Sequence, residues 1–102
     1  MQDILKEIKK FRDERKWMKF HNPKDMAVSI TIEAAELLEH FQWKNKAEVK
    51  KYIKTHKGEI ADEIADVCMY LFELADNLGI SLKEAMIKKL KKNKIKYPVL
   101  KR

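Results

Sequence analysis

Two pairs of acidic residues, each pair separated by three positions, lie within the two most apolar stretches of the chain. Glu33 and Glu36 belong to MAVSITIEAAELLEHFQ, and Glu63 and Asp66 belong to EIADEIADVCMYLFELADNL. Residues three apart lie about one turn apart on one helix face, so both carboxylates of a pair can reach a single hard cation. Four carboxylates that meet without a cation repel one another and take up protons, whereas Mg²⁺ or Mn²⁺ keeps them ionised. The spacing therefore predicts a site for a divalent cation.

This spacing alone is weak evidence, because other acids in the chain share it. Three further pairs have the same separation: Glu36/Glu39, Glu59/Asp62 and Glu73/Asp76. Acids on helices commonly pair with lysines, and that structural alternative stays open at this level. The two chosen pairs differ because they face each other if their apolar helices pack antiparallel. Neither pair has histidine as its later member, so the Glu-x-x-His motif of di-iron bundles is missing and redox iron is disfavoured.

Hydrophobic residues recur at helical spacing along the chain, which predicts an all-α fold. The pattern gives four main helices at about 2–15, 24–42, 59–78 and 82–96, and a short connecting helix at 44–55. Capping signals mark their ends: Asn22 with Pro23, Asn45 with Glu48, Gly79, and Ser81 with Glu84. Residues 56–58 (HKG) form the best break between the short helix and the next one.

Helix 59–78 is apolar around most of its circumference and is therefore expected at the centre of the fold. One polar line runs along it: Glu59, Glu63, Asp66, Tyr70 and Glu73. Cys68 lies among the apolar residues and is expected to be a small core residue rather than a reactive thiol. The last helix is expected to bury Leu82, Met86, Leu90 and Tyr97.

Length and composition predict one domain over residues 1–102. No segment is long and apolar enough to suggest a membrane span, and the charged first residues are unlike a secretory signal, so we expect a soluble, cytoplasmic protein without a membrane partner. The formal net charge of +7 invites a nucleic-acid hypothesis. However, no RNA-recognition, zinc-finger or glycine-loop signature is present, and lysines on surface helices commonly serve solubility, so no nucleic-acid partner is expected.

Several phrases of the sequence resemble a known family. The runs IEAAELLEHFQW, EIADVCMYLFELADNLGI and KKLKKNKIKYPV are similar to the MazG-like nucleotide pyrophosphohydrolases, and most closely to their single-domain dCTP pyrophosphatase branch. The resemblance extends from about residue 14 to the end. Its central motif, Glu-x-x-Glu followed by Glu-x-x-Asp, is met by Glu33, Glu36, Glu63 and Asp66. The resemblance implies an all-α NTP pyrophosphatase bundle that hydrolyses a nucleoside triphosphate to the monophosphate and pyrophosphate with Mg²⁺.

The resemblance also implies roles for further residues. Glu36 and Glu39 are candidates for the catalytic base. Positions expected to contact the base, sugar or triphosphate are Trp17, His21, Trp43, Tyr70, Lys89, Asn93, Lys96 and Tyr97. Structural alternatives exist for these residues: aromatic packing, a helix cap at His21 or Asn93, and a solvated charge at Lys89.

Members of the family form homo-oligomers, commonly tetramers, whose pockets are completed by neighbouring subunits, and we expect a homodimer or homotetramer. Ile8 occupies a position where histidine is expected in the animal members, so the resemblance implies the triphosphate class more firmly than a preference for dCTP. The implied role is housecleaning or control of the nucleotide pool. The alternative function is a basic helical nucleic-acid-binding module or an oligomeric interaction module without catalysis.

Overall fold

The computed structural model describes residues 2–16 and 22–100, and these residues form four α-helices and no strand. The helices are α1 (Gln2–Glu14), α2 (Pro23–Glu39), α3 (Lys46–Asn77) and α4 (Leu82–Lys96). The all-α prediction is confirmed. Helices α1 and α4 have nearly the predicted bounds, and α2 ends three residues earlier than expected because residues 40–43 form turns.

Helix α3 contacts each of the other three helices, and its most extensive contact is with α2. This arrangement agrees with the nearly all-round apolar character of residues 59–78. The two helices that carry the acid pairs are therefore packed against each other, and α1 and α4 contact α3 over smaller surfaces.

Helix α3 includes both the predicted short helix and the predicted central helix, so the expected loop at residues 56–58 is wrong. The backbone departs from helical geometry at His56 alone, where φ is −123° and ψ is 17°, and the helix resumes after this kink. The His56 ring offers a local reason, because its Nδ1 lies 3.2 Å from the Tyr52 carbonyl oxygen and 2.8 Å from the Thr55 hydroxyl. Side-chain hydrogen bonds of this kind compete with the helical ladder and bend it without ending it.

The helix ends follow the capping signals of the sequence. The side chain of Asn22 accepts a hydrogen bond from the backbone N–H of Asp25 at 2.9 Å, with Pro23 as the first helical residue of α2. Asn45 and Glu48 form the reciprocal capping box of α3. Beyond α3, Gly79 adopts a φ of 69°, a left-handed conformation that costs glycine little.

Two backbone hydrogen bonds complete this C-terminal end of α3: Gly79 N–H to the Asp76 carbonyl at 3.1 Å, and Ile80 N–H to the Ala75 carbonyl at 2.8 Å. They form a Schellman motif. Ser81 accepts from the backbone N–H of Glu84 at 3.3 Å and thereby caps α4.

Many apolar side chains are exposed in this single chain. Met86, Leu90 and Tyr97 are 62%, 55% and 68% exposed, so the prediction that α4 buries them is wrong; Leu82 is half-buried. Cys68 is also exposed, which contradicts its expected place in the core. The physical reason is the same in each case, since four helices of this length cannot cover every apolar face of α3 and α4.

Within the described residues, no helix has the length and apolar character that a membrane crossing requires.

Candidate metal centre

The packing of α2 on α3 brings three of the predicted acids together. One carboxylate oxygen from each of Glu33, Glu36 and Glu63 lies within 4.8 Å of the other two. Glu33 and Glu36 are held on one face of α2 by their spacing of three residues, and Glu63 faces them from α3. Three oxygens at this separation can bind one hard cation.

Two of these carboxylates have buried oxygens that lack hydrogen-bond partners. Within the part of the chain that the structure describes, neither Oε2 of Glu33 nor Oε2 of Glu63 finds a donor. Burial and then the nearby charge of Glu36 raise the pKa of Glu33 to about 7. Burial and then Glu36 also raise the pKa of Glu63 above its ordinary value. Without a cation, burial and the neighbouring negative charge therefore favour the protonated forms of Glu33 and Glu63.

Asp66 lies beside this group rather than within it. Its negative charge contributes to the raised pKa values of Glu33 and Glu63, after burial and the charge of Glu36. Burial, followed by the charges of Glu33, Glu73 and Asp66, raises the pKa of the Tyr70 phenol. Asp66 and Tyr70 thus share the electrostatic environment of the three acids.

The residues present suit a hard divalent cation. The group offers carboxylate oxygens alone, which Mg²⁺ and Mn²⁺ prefer. No lysine or arginine within residues 2–16 and 22–100 forms an ion pair with any of the four predicted ligands, whereas Asp76 on the same helix pairs with Lys9 at 2.9 Å and Arg12 at 3.2 Å. A cation in place of the absent basic partners would satisfy the orphan oxygens of Glu33 and Glu63.

A cavity of about 420 Å³ lies next to the acids. Its lining residues are Glu36, Glu39, His40, Tyr52 and Glu63. Glu39, one of the two candidates for the catalytic base, is thus placed beside the cluster.

Two of the lining residues, His40 and Tyr52, are not among the site residues predicted from the sequence. His40 follows Glu36 by four residues on the polar face of α2, but it has no second ligand at metal spacing, so the sequence favours a structural role for it. Tyr52 gives no such signal, since it reaches the cavity only because α3 folds back along α2.

The residues predicted to contact substrate are not gathered around this cavity in one chain. Trp43 is 86% exposed, and α4, which carries Lys89, Asn93 and Lys96, supplies none of the described lining residues. Lys96 places its Nζ 5.3 Å from the ring centroid of Tyr97. Trp17 and His21 lie outside the described residues. The assignment of all the residues named in this paragraph, and of Tyr70, as substrate-binding residues stays a prediction.

Comparison with known proteins identifies the family of this fold. The MazG-like family model matches residues 28–102. The chain belongs to the MazG-like family. The resemblance carried by IEAAELLEHFQW and EIADVCMYLFELADNLGI is thereby confirmed, and the residues of the acid cluster lie within the matched region.

Curated relatives in mammals are similar over nearly the whole chain. The rat protein named dCTP pyrophosphatase 1 is 34% identical over 101 residues, and the human protein of the same name is 31% identical over 100 residues. These matches cover 97% and 96% of this chain but 59% of each relative, so the chain spans about three fifths of their length.

A solved structure is similar in fold. The crystal structure of a pyrophosphatase from Archaeoglobus fulgidus superposes with a TM-score of 0.91 at 47% sequence identity. The match covers 97% of this chain and 93% of that one. The all-α MazG-like fold of the present chain is therefore confirmed by both sequence and structure.

Proposed function

We propose that this protein is a nucleoside triphosphate pyrophosphohydrolase, which converts a nucleoside or deoxynucleoside triphosphate to the monophosphate and pyrophosphate. The observation that carries the proposal is the set of orphan carboxylate oxygens between α2 and α3 in a MazG-like chain. The names of its relatives, dCTP pyrophosphatase and pyrophosphatase, support the same reaction. They make dCTP the first substrate to test, and housecleaning of the nucleotide pool the corresponding role.

Glu33, Glu36, Glu63 and Asp66 are the proposed ligands of Mg²⁺, with Mn²⁺ as a substitute. The bound cation would supply positive charge that offsets the growing negative charge on the phosphate oxygens. Glu36 and Glu39 line the cavity and are the proposed acceptors for the proton of the attacking water. The oxygen of that water bonds to the α-phosphorus, the bond to the bridging α–β oxygen breaks, and pyrophosphate leaves with the bonding electron pair.

The remainder of the pocket is proposed to form between subunits. The apolar residues exposed on α3 and α4 include Ile64, Met69, Leu71, Ile87 and Leu90. Contiguous exposed apolar surface commonly marks an interface. A homodimer or homotetramer would bring a second copy's Lys89 and Asn93, or its Trp43 and Tyr97, to the cavity. Light scattering coupled to gel filtration tests this assembly, and a monomer at micromolar concentration would contradict it.

The reaction is tested by incubating the protein with each common ribo- and deoxyribonucleoside triphosphate in Mg²⁺ and detecting pyrophosphate and orthophosphate separately. We expect one pyrophosphate for each monophosphate, no orthophosphate, and loss of turnover in EDTA. Release of orthophosphate, or turnover that survives EDTA, would contradict the proposed reaction.

The site is tested with two substitutions and a matched control. Glu36→Gln and Asp66→Asn each remove one ligand charge with little change in shape, and we expect each to reduce the turnover number by at least about 100-fold, the size of loss seen when transition-state charge stabilisation is removed. Asp62→Asn makes the same change at an exposed position of α3 and should leave turnover unchanged. Full activity of either site variant would refute the assignment of the acids.

A further inference from the structure

Two residues other than the acids, His40 and Tyr52, contribute polar groups to the cavity. The hydroxyl oxygen of Tyr52, on the second turn of α3, lies 2.6 Å from Nδ1 of His40, the C-cap residue of α2. Glu36, Glu39 and Glu63 complete the described lining. Ionised carboxylates only accept hydrogen bonds. Tyr52 and His40 are therefore the hydrogen-bond donors among the lining side chains.

The ring of Tyr52 is held on both faces. The imidazole of His56 stacks against it, with ring centroids 3.9 Å apart and an interplanar angle of 4°. Nζ of Lys44 lies over the ring, 4.1 Å from its centroid. Because the stacked imidazole covers one face, the ammonium group lies over the other. With His40 at the hydroxyl, three neighbours fix the direction in which the phenol meets the cavity.

A triphosphate in this cavity needs such a donor. The carboxylates can hold a cation, but they repel every phosphate oxygen that the cation does not bind. A phenolic O–H gives a phosphate oxygen a short, charge-assisted hydrogen bond, and the neighbouring ammonium of Lys44 adds positive potential. Sequence reasoning assigned the triphosphate contacts to α4, which lies outside this cavity in the single chain.

We propose that Tyr52 donates its hydroxyl hydrogen to a phosphate oxygen of the bound triphosphate, and that His40 is the positioning residue for this contact. In the tautomer that carries hydrogen on Nδ1, His40 donates to the phenol oxygen and leaves the phenol hydrogen directed at the ligand. This inference rests on the proposed function, because it requires a triphosphate at the acid cluster.

The test measures binding rather than turnover. An α,β-imido deoxynucleoside triphosphate, which cannot be cleaved at the α–β bridge, is titrated in Mg²⁺ into the full chain by calorimetry. Tyr52→Phe keeps the contacts of the ring and deletes the hydroxyl. We expect it to raise the Kd for the analogue by about tenfold, as for loss of one hydrogen bond to a charged group. The affinity for Mg²⁺ alone should stay unchanged, because the four carboxylates remain.

Two further variants separate ligand contact from a structural role at the α2–α3 turn. His40→Ala should weaken analogue binding as Tyr52→Phe does, and the double variant should be no weaker than the single ones, because both remove the same contact. His40→Asn places an amide donor near the position of Nδ1 and should restore most of the affinity. Thr31→Val removes an exposed hydroxyl of α2 that donates to the Ala27 carbonyl at 2.9 Å, and it should bind like the wild type.

The outcomes distinguish this inference from the proposed function. If the wild type binds the analogue and Tyr52→Phe binds it equally well, the phosphate contact is refuted while the proposed function stands. If Tyr52→Phe weakens Mg²⁺ binding in the absence of nucleotide, the phenol serves the carboxylates and the inference is wrong. If the wild type itself fails to bind the analogue in Mg²⁺, both proposals fall together.

Discussion

Burial has a large effect on the pKa of the Glu33 carboxylate. Its Oε2 lacks a partner within the described structure, and burial followed by the charge of Glu36 raises its pKa from 4.5 to about 7. The folded protein therefore binds a proton at this position over a pH range in which the unfolded chain has released it. A raised carboxylate pKa means that the contribution of Glu33 to stability is fully present below pH 4.5 and is lost as pH rises through about 7.

This linkage gives a prediction for the protein in EDTA. Glu33→Gln removes the titrating group and keeps its shape, so the difference in the free energy of unfolding between variant and wild type should grow in the variant's favour between pH 4.5 and 7. Urea denaturation at a series of pH values measures this difference. Glu59→Gln, the same change at an exposed position of α3, is the control and should show no such trend. If the difference in the free energy of unfolding between Glu33→Gln and the wild type does not vary with pH, the raised pKa of Glu33 is contradicted.

Some residues of the candidate site could be predicted from the sequence, and others could not. Glu33, Glu36 and Glu63 were predicted because residues three apart on apolar helices leave a regular pattern. The structure brings these three carboxylates together, and the assignment of all four acids, Asp66 included, as metal ligands stays a prediction. Tyr52 lies on the apolar side of its helix with Val49 and Ile53, and the sequence does not indicate its place at the cavity, because that place depends on how α3 returns along α2. Periodicity identifies the face of one helix but not the partner that the face meets.

The docking of α1 on α3 depends on an ion pair that the helical pattern did not predict. The Arg12 side chain is 6% exposed and donates to Asp76 Oδ2 at 3.2 Å, while Lys9 pairs with the other oxygen of Asp76 at 2.9 Å. The Lys9 hydrogen bond, partly opposed by burial and supported by Arg12, lowers the pKa of Asp76 below its ordinary value. Ile8, 7% exposed, lies one turn before Arg12 on α1 and is the helix's buried apolar residue. The face of α1 toward α3 therefore includes a partly buried ion pair, and Ile8 is buried one turn away.

Asp76→Asn should destabilise the protein by about 2 kcal/mol at neutral pH, because it leaves the buried guanidinium of Arg12 with only the exposed carboxylate of Asp13 as a charged partner. A depressed carboxylate pKa contributes stability that is present above the unfolded value of 3.8 and is lost as pH falls through the folded value. The difference between variant and wild type should therefore shrink below about pH 3.8. Thermal or urea unfolding at a series of pH values measures this difference in the free energy of unfolding.

Asp13→Asn is the matched control for this prediction. Asp13 also pairs with Arg12, at 3.1 Å, but its side chain is 59% exposed. Exposed ion pairs contribute about 0–1 kcal/mol, so this variant should lie close to the wild type. Equal effects of the two substitutions would show that the contact between α1 and α3 is not the stabilising one.

The element boundaries show where local sequence signals decide the structure and where they do not. Asn22, Asn45 and Gly79 all end or begin helices as predicted, because each cap depends on hydrogen bonds within a few residues. The expected loop at residues 56–58 is instead a kink at His56. Gly58 weakens a helix by only about 1 kcal/mol, and packing of α3 against α2 outweighs a penalty of that size.

Among the described residues, large apolar side chains are exposed along α3 and α4. The fold class follows from helical periodicity, and the family follows from phrases such as IEAAELLEHFQW. The burial of Met86, Leu90 and Cys68 was predicted wrongly, because periodicity shows that a face is apolar without showing what covers it. In the single chain nothing among the described residues covers these side chains fully, and the proposed homo-oligomer would supply the missing surface.

The proposed reaction requires a divalent cation held between α2 and α3, and anomalous diffraction from a crystal soaked in Mn²⁺ tests for this cation directly. We predict a strong anomalous peak within coordination distance of Glu33, Glu36 and Glu63, with Asp66 as a further ligand. The peak should be lost in a crystal of Glu63→Gln and kept in one of Asp62→Asn. A wild-type crystal with no peak at these carboxylates, or with the manganese bound only elsewhere, would contradict the proposed metal site.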